Sequence, residues 1–140
     1  MKTFKLKTFT ILSERNGSIA EKTIQLIDGL VIDQEDDKSY WLIETYMSKS
    51  YLSYFKSLKS KAGIIVKAKI SKETNDPAYF VAKIIQINDI VEHFNVLLLG
   101  SLIQRQQTDL TEWLKDRVAE GDREQQLINQ LKNLNEFHNA

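Results

Sequence analysis

Short apolar stretches separated by turn-forming residues run from the start of the chain to about residue 104, and this rhythm leaves few folds open. Ile64, Val66, Ala68 and Ile70 alternate with Ile65, Lys67, Lys69 and Ser71, the period-2 pattern of a strand with two different faces. Residues 3–12 place Phe4, Leu6 and Leu12 at even positions with Lys5 and Lys7 between the first two. Phe9 and Ile11 break the alternation there, which predicts a bulge or a change of face. Arg15-Asn16-Gly17-Ser18 holds the Asn-Gly pair of a tight hairpin, and residues 19–27 form the return strand with Ala20, Ile24 and Leu26 on one face. Asp28-Gly29 reads as a second turn, Leu30–Asp33 as a further strand, Gln34–Asp37 as an acidic loop and Tyr40–Tyr46 as the next strand. Tyr51, Tyr54, Phe55 and Leu58 follow i, i+3, i+4, i+7, so a short crossover helix is expected, capped by Ser48 or Ser50 and ended by Gly63. Asn75-Asp76-Pro77 makes a turn, Tyr79–Ile87 is apolar on both faces, and Asn88-Asp89 is read as the turn before Ile90–Leu99.

Six or seven evenly spaced strands joined mainly by hairpins favour an antiparallel β-barrel over a parallel α/β sheet, which needs a long helix between strands. Closure also removes the exposed edges that such β-branched strands otherwise offer to neighbours.

Beyond residue 104 the periodicity turns helical. Asp109 and Glu112 fit a capping box, followed by a stripe of Leu110, Trp113, Leu114 and Val118. Gly121 is placed to stop that helix, and Asp122 with Gln125 repeats the cap signature before Leu127, Ile128, Leu131 and Leu134. The expected organisation is therefore a barrel core over 1–104 and an antiparallel helix pair over 105–140 packed on it as one structural domain. These eight apolar residues form the contact, with Trp113 largely buried.

Composition narrows the chemistry. The 19 basic and 19 acidic residues cancel, unlike the large positive surplus of a polyanion-coating protein. With no cysteine there is no thiol nucleophile, disulfide or thiolate metal site, and His93 and His138 are too few and too far apart for a zinc centre. No Gly-x-Ser-x-Gly element or phosphate-cradling glycine loop occurs, so neither enzymatic activity nor a cofactor or metal is expected. The N-terminus interleaves lysines with its apolar residues, and runs such as Val96–Leu99 fall far short of the roughly 20 residues of a membrane helix, so the expected location is cytoplasmic.

Charge is unevenly distributed within this neutral total. Between Ser48 and Lys72 lie seven lysines and no carboxylate, among them Lys49, Lys56, Lys59, Lys61, Lys67 and Lys69. Between Asp28 and Asp37 lie five carboxylates and no base, including Asp33, Glu35, Asp36 and Asp37; the run lacks the ligand spacing of an EF-hand. Both segments are candidate interaction surfaces. Tyr51, Tyr54 and Phe55 interleave with the lysines, as on a single-strand nucleic-acid platform, but their helical spacing points to a core and the lysines to a solvated face.

The opening MKTFKL, the segment Ile27–Ile32, Tyr-Trp-Leu-Ile-Glu at 40–44, Lys-Ser-Tyr-Leu at 49–52 and Asn-Asp-Pro-Ala at 75–78 resemble the YwpF-like proteins of Gram-positive bacteria. The resemblance spans the whole chain. It implies a β-barrel followed by a helix pair, similar in shape to the tube-forming Hcp proteins of type VI secretion, and it transfers no catalytic residue. The expectation is a non-enzymatic protein that binds or assembles with other proteins, as a monomer or a weak, salt-sensitive oligomer. An oligonucleotide-binding barrel using residues 48–72 is the alternative.

Overall fold

The computed structural model describes residues 2–34, 40–103 and 109–139, with side chains as far as Asn133. Seven strands, β1 (Lys2–Arg15), β2 (Ser18–Ile24), β3 (Leu26–Asp33), β4 (Tyr40–Ser48), β5 (Ile64–Ile70), β6 (Ala78–Ile90) and β7 (His93–Leu102), pair antiparallel in the order β2-β1-β3-β4-β7-β6-β5. β5 also pairs with β1, from Leu6↔Ile70 to Leu12↔Ile65, so six strands close into the expected barrel while β2 lies outside the ring along β1. A 3-10 turn (Lys49–Tyr51) and α1 (Leu52–Leu58) link β4 to β5, and α2 (Leu110–Ala119) and α3 (Glu124–Asn139) follow the barrel.

Strand parity divides the apolar residues between two cores. Phe9, Ile11, Val31, Ile43, Met47, Val66, Phe80, Phe94, Val96 and Leu98 face into the barrel. Leu12, Ile65, Tyr79 and Val81 face outward and meet α2 and α3. This explains why Tyr79–Val81 is apolar on both faces: Phe80 fills the barrel while its neighbours carry the helices. The irregularity at Phe9 and Ile11 is a register shift between Leu6 and Thr8 that returns β1 to the core on odd residues.

Two side-chain groups fill the barrel ends. At one end Trp41 meets Phe4 and Phe80, with ring centroids 6.2 and 6.1 Å away. At the other, α1 lowers Phe55 between Phe9 and Phe94, at 6.3 and 6.1 Å, as a stopper. The Ser48 hydroxyl accepts the Ser50 N–H at the entrance to this segment.

Several turn assignments are corrected. Asn16 and Gly17 do form the first hairpin, at φ 51° and 81°. Asp28-Gly29, however, lies within β3 beside a register shift, and the chain breaks at Gln25 instead. A Cβ on Gly29 would come within 3.0 Å of Leu6 Cδ2, so close strand packing explains this glycine. Asn88-Asp89 also lies inside a strand: β6 continues to Ile90, and Val91-Glu92 make the turn, with Val91 at φ 41°. Asn88 uses its amide on the neighbouring strand, donating to Asn95 Oδ1 at 2.8 Å, while Asn95 donates to the Thr45 carbonyl at 3.1 Å. Nor does Gly63 end the crossover helix, which stops at Leu58; its missing Cβ would sit 3.1 Å from Ile128 Cγ2, so it lets α3 approach the barrel.

The helix pair packs through Leu110, Leu114, Val118, Leu127, Ile128 and Leu131, all buried in the second core. Trp113 is only partly buried at the margin of that core, because it lies on the shoulder of the stripe centred on Leu110 and Leu114. The Leu134 side chain lies outside the described residues. Asp109 caps α2 by accepting from Thr111 and Glu112, at 2.9 and 3.4 Å. Gly121, at φ 110°, ends it: Gly121 N–H donates to Val118 and Asp122 N–H to Arg117, at 3.0 and 3.1 Å.

The second cap falls one residue later than Asp122–Gln125. Gln126 Oε1 accepts the Arg123 N–H at 2.7 Å, and a residue of the barrel completes the start of α3. Glu14, its side chain only 9% exposed, accepts from Gly17 N–H at 3.0 Å and Glu124 N–H at 3.3 Å and faces Arg123. These donors, Gly17 first, hold the Glu14 carboxyl below the usual glutamate range against the opposing effect of its burial. A lowered folded-state pKa gives stability that is complete above the unfolded-state value, about 4.3, and is lost as pH falls through the folded-state value. Glu14→Gln is thus expected to lower the thermal midpoint by a few degrees at pH 7 and not at pH 2. An equal deficit at both pH values in thermal melts would exclude the charge as its source.

Candidate functional site

The seven-lysine segment is not gathered into one patch. Lys67 and Lys69 are half-buried on β5, where Lys67 lies 3.6 Å from Glu21 and 5.9 Å from the Tyr79 ring centroid. Lys61 turns to the helix pair and bonds Glu124 at 2.9 Å. Lys49, Lys56 and Lys59 remain together at the stoppered end, because the turn and α1 carry all three across the barrel mouth. Asp33 lies at the opposite end of β3: Leu26 pairs with Met47 near the stopper and Asp33 with Trp41, roughly 24 Å further along the strand. Glu35, Asp36 and Asp37 lie outside the described residues.

The tyrosines of this segment are engaged in the protein. Tyr51 Oη accepts the Gln25 N–H at 3.1 Å, and the Tyr54 ring meets Phe55 edge-on at 5.2 Å. Burial pushes the Tyr54 phenol up from its usual range. Lys22 sits over both rings, 5.0 Å from Tyr54 and 6.0 Å from Tyr51, so the aromatic faces already hold a cation.

Beside this plug lies a groove of about 430 Å³ lined by Leu52, Lys56 and Lys59 of α1 and by Ile87 and Asp89 of β6. It exists because β5 begins only at Ile64, opposite Ala82, while β6 continues eight residues further with only β7 beside it. Lys49 bonds Asp89 at 2.8 Å, so three lysines surround one carboxylate. The other face of the same β6 edge is apolar. Ile85, Ile90 and Val91 are 44%, 44% and 87% exposed, and Val91 occupies the left-handed region at the hairpin tip, where a β-branched residue is strained.

Sequence reasoning found Lys49, Lys56 and Lys59 but missed the other wall. Asp89 has turn chemistry, and the apolar run that ends at Ile87 hides a strand that continues past it. The available signal was the apolar pair Ile90-Val91 directly after Asn88-Asp89, which an open loop does not require.

Elsewhere, the other displaced titrations have local causes. Lys5, beside Asp28, holds that carboxyl below its usual range with help from the Gly29 N–H. Tyr46 donates to Glu44 at 2.5 Å, and this bond raises the phenol's pKa. No helix among the described residues is long and apolar enough to cross a membrane.

These features define a closed antiparallel barrel, stoppered by its own helix, backed by a helix pair, and open along one strand edge beside a lysine-walled groove. The chain belongs to the YwpF-like family, whose description, YwpF-like protein, matches residues 2–134. It is 35% identical over 133 residues to the uncharacterized protein YwpF of Bacillus subtilis (strain 168), covering 94% of this chain and 98% of that protein. A hypothetical protein from Staphylococcus aureus, seen in a crystal structure, shares the fold with a TM-score of 0.68 and 24% identity, covering 94% of this chain and 91% of that one.

Proposed function

We propose that this chain is a non-enzymatic, cytoplasmic protein-binding module whose working surface is the stoppered end of the barrel. The observation that carries this reading is the combination found along one strand edge: exposed Ile85, Ile90 and Val91 on its outer side and, on its inner side, a groove walled by Lys56 and Lys59. Apolar residues gathered next to fixed charge are the usual makings of a protein interface. The displaced carboxyls and phenols support a non-catalytic reading, since Glu14, Asp28, Tyr46 and Tyr54 serve a helix cap, a strand contact, a surface hydrogen bond and a core. The module works as a monomer or a weak, salt-sensitive oligomer. Exposed ion pairs between the lysine end and the Asp33 end contribute only about 0–1 kcal/mol each, too little to hold an assembly such as a secretion-type tube.

Affinity capture from cell extract tests this, comparing the native chain with a Lys56→Glu/Lys59→Glu variant, each with and without nuclease. The expected result is a protein retained by the native chain after nuclease treatment and lost with the variant. Recovery that disappears with nuclease would support an oligonucleotide-binding barrel instead.

A further inference from the structure

We infer that the free edge of β6 takes up an extended acidic segment of a partner protein as an additional strand. This rests on the reading of the stoppered end as a binding surface and specifies what binds there. Val91-Glu92 form a two-residue turn, so Ile90 and His93 are a hydrogen-bonded pair, and the antiparallel alternation makes Asn88↔Asn95 and Gln86↔Leu97 hydrogen-bonded pairs too. Ile87 and Asp89 therefore turn their N–H and C=O groups away from β7, towards the side that β5 has already left. These are the two β6 residues that line the groove. No backbone bond from another described segment takes up those groups.

The edge is only lightly protected, by the register shift between Ile84 and Gln86 and by the charge of Asp89. β2, likewise paired on one side only, exposes Glu21 and Lys22 and has α2 packed beside it. β6 exposes Ile85 and Ile90 alongside Lys83 and Asp89. Charge selects the occupant. A strand laid against Ile87 and Asp89 runs beside Lys56 and Lys59, while Lys49 already neutralises Asp89, so carboxylates on alternate residues of the incoming segment meet unmatched cations. A second copy of this chain suits the edge poorly, because pairing two β6 edges brings two sets of Lys56 and Lys59 together.

The test uses the full chain, isotope-labelled for NMR, and three blocked hexapeptides: alternating Glu-Val, alternating Lys-Val, and Glu-Val with alternate backbone amides methylated. The Glu-Val peptide is expected to shift the amides of Ile87 and Asp89 and slow their exchange by about tenfold or more. Binding should weaken by about tenfold or more with the Lys-Val peptide, the methylated peptide, or the Lys56→Glu/Lys59→Glu chain. Equal binding by the methylated peptide would overturn strand addition and leave the protein-binding reading standing. No response to any peptide, or protection that appears with protein concentration alone, would overturn the inference as well; the capture experiment judges the broader reading separately.

Discussion

Replacing Phe55 with alanine is expected to remove about 3–5 kcal/mol of stability, the range for emptying a fully buried aromatic site. Phe55 has no exposed surface and lies among Phe9, Tyr54 and Phe94, with ring centroids within 6.3 Å. The barrel cannot collapse onto the vacancy, because its diameter is fixed by six paired strands. At about 2.1 cal/mol/K of unfolding entropy per residue, a chain of 140 residues should lose roughly 10–17 °C in midpoint. Phe55→Leu keeps much of the volume and should cost clearly less. Thermal melts followed by circular dichroism check this. A loss below about 1 kcal/mol for alanine would show that α1 rests on the barrel without sealing it.

The second large effect concerns the helix pair. Ending the chain at Ile103 uncovers Leu12, Ile65, Tyr79 and Val81, which share one outer face of the barrel and are each less than 9% exposed in the full chain. A contiguous apolar patch of this kind favours association, so the truncated protein is expected in the insoluble fraction or as soluble aggregates by light scattering. Within the full chain, Leu127→Ala should cost about 2–5 kcal/mol, since Leu127 is wholly buried between the helices and the barrel. Trp113→Ala should cost less than the about 3–5 kcal/mol of a buried tryptophan, because part of its ring surface remains in water. A soluble, monomeric truncated barrel with the stability of the full chain would make the helix pair an independent arm.

Much of this architecture was legible because strand parity and helical periodicity are local. The alternation from Ile64 to Ile70, the break at Phe9 and the Asn16-Gly17 hairpin hold in the structure, and Leu110, Leu114, Val118, Leu127, Ile128 and Leu131 of the helical stripes are buried. The errors came from residues whose role is set by something distant in sequence. Gly29 is required by Leu6, and Gly63 by Ile128. Glu14 reads as an ordinary strand-end carboxylate until α3 arrives above it, 110 positions later. Asn88-Asp89 has turn chemistry, but its polar groups serve Asn95 and Lys49 within a continuing strand, while the actual turn falls on Val91, which has poor turn propensity. The groove was invisible for the same reason. It depends on β5 beginning only at Ile64, opposite Ala82, while β6 runs on to Ile90, a mismatch in strand length that no single segment displays.

The most direct measurement of the central claim is amide hydrogen exchange across β6 in the free, full-length protein at low concentration. If the stoppered end presents an open strand edge, the amides of Ile87 and Asp89 exchange quickly, while those of Gln86, Asn88 and Ile90, bonded to β7, are protected. Strong protection at Ile87 and Asp89 equal to that of their neighbours would mean that the edge is already occupied, and would contradict an open docking strand.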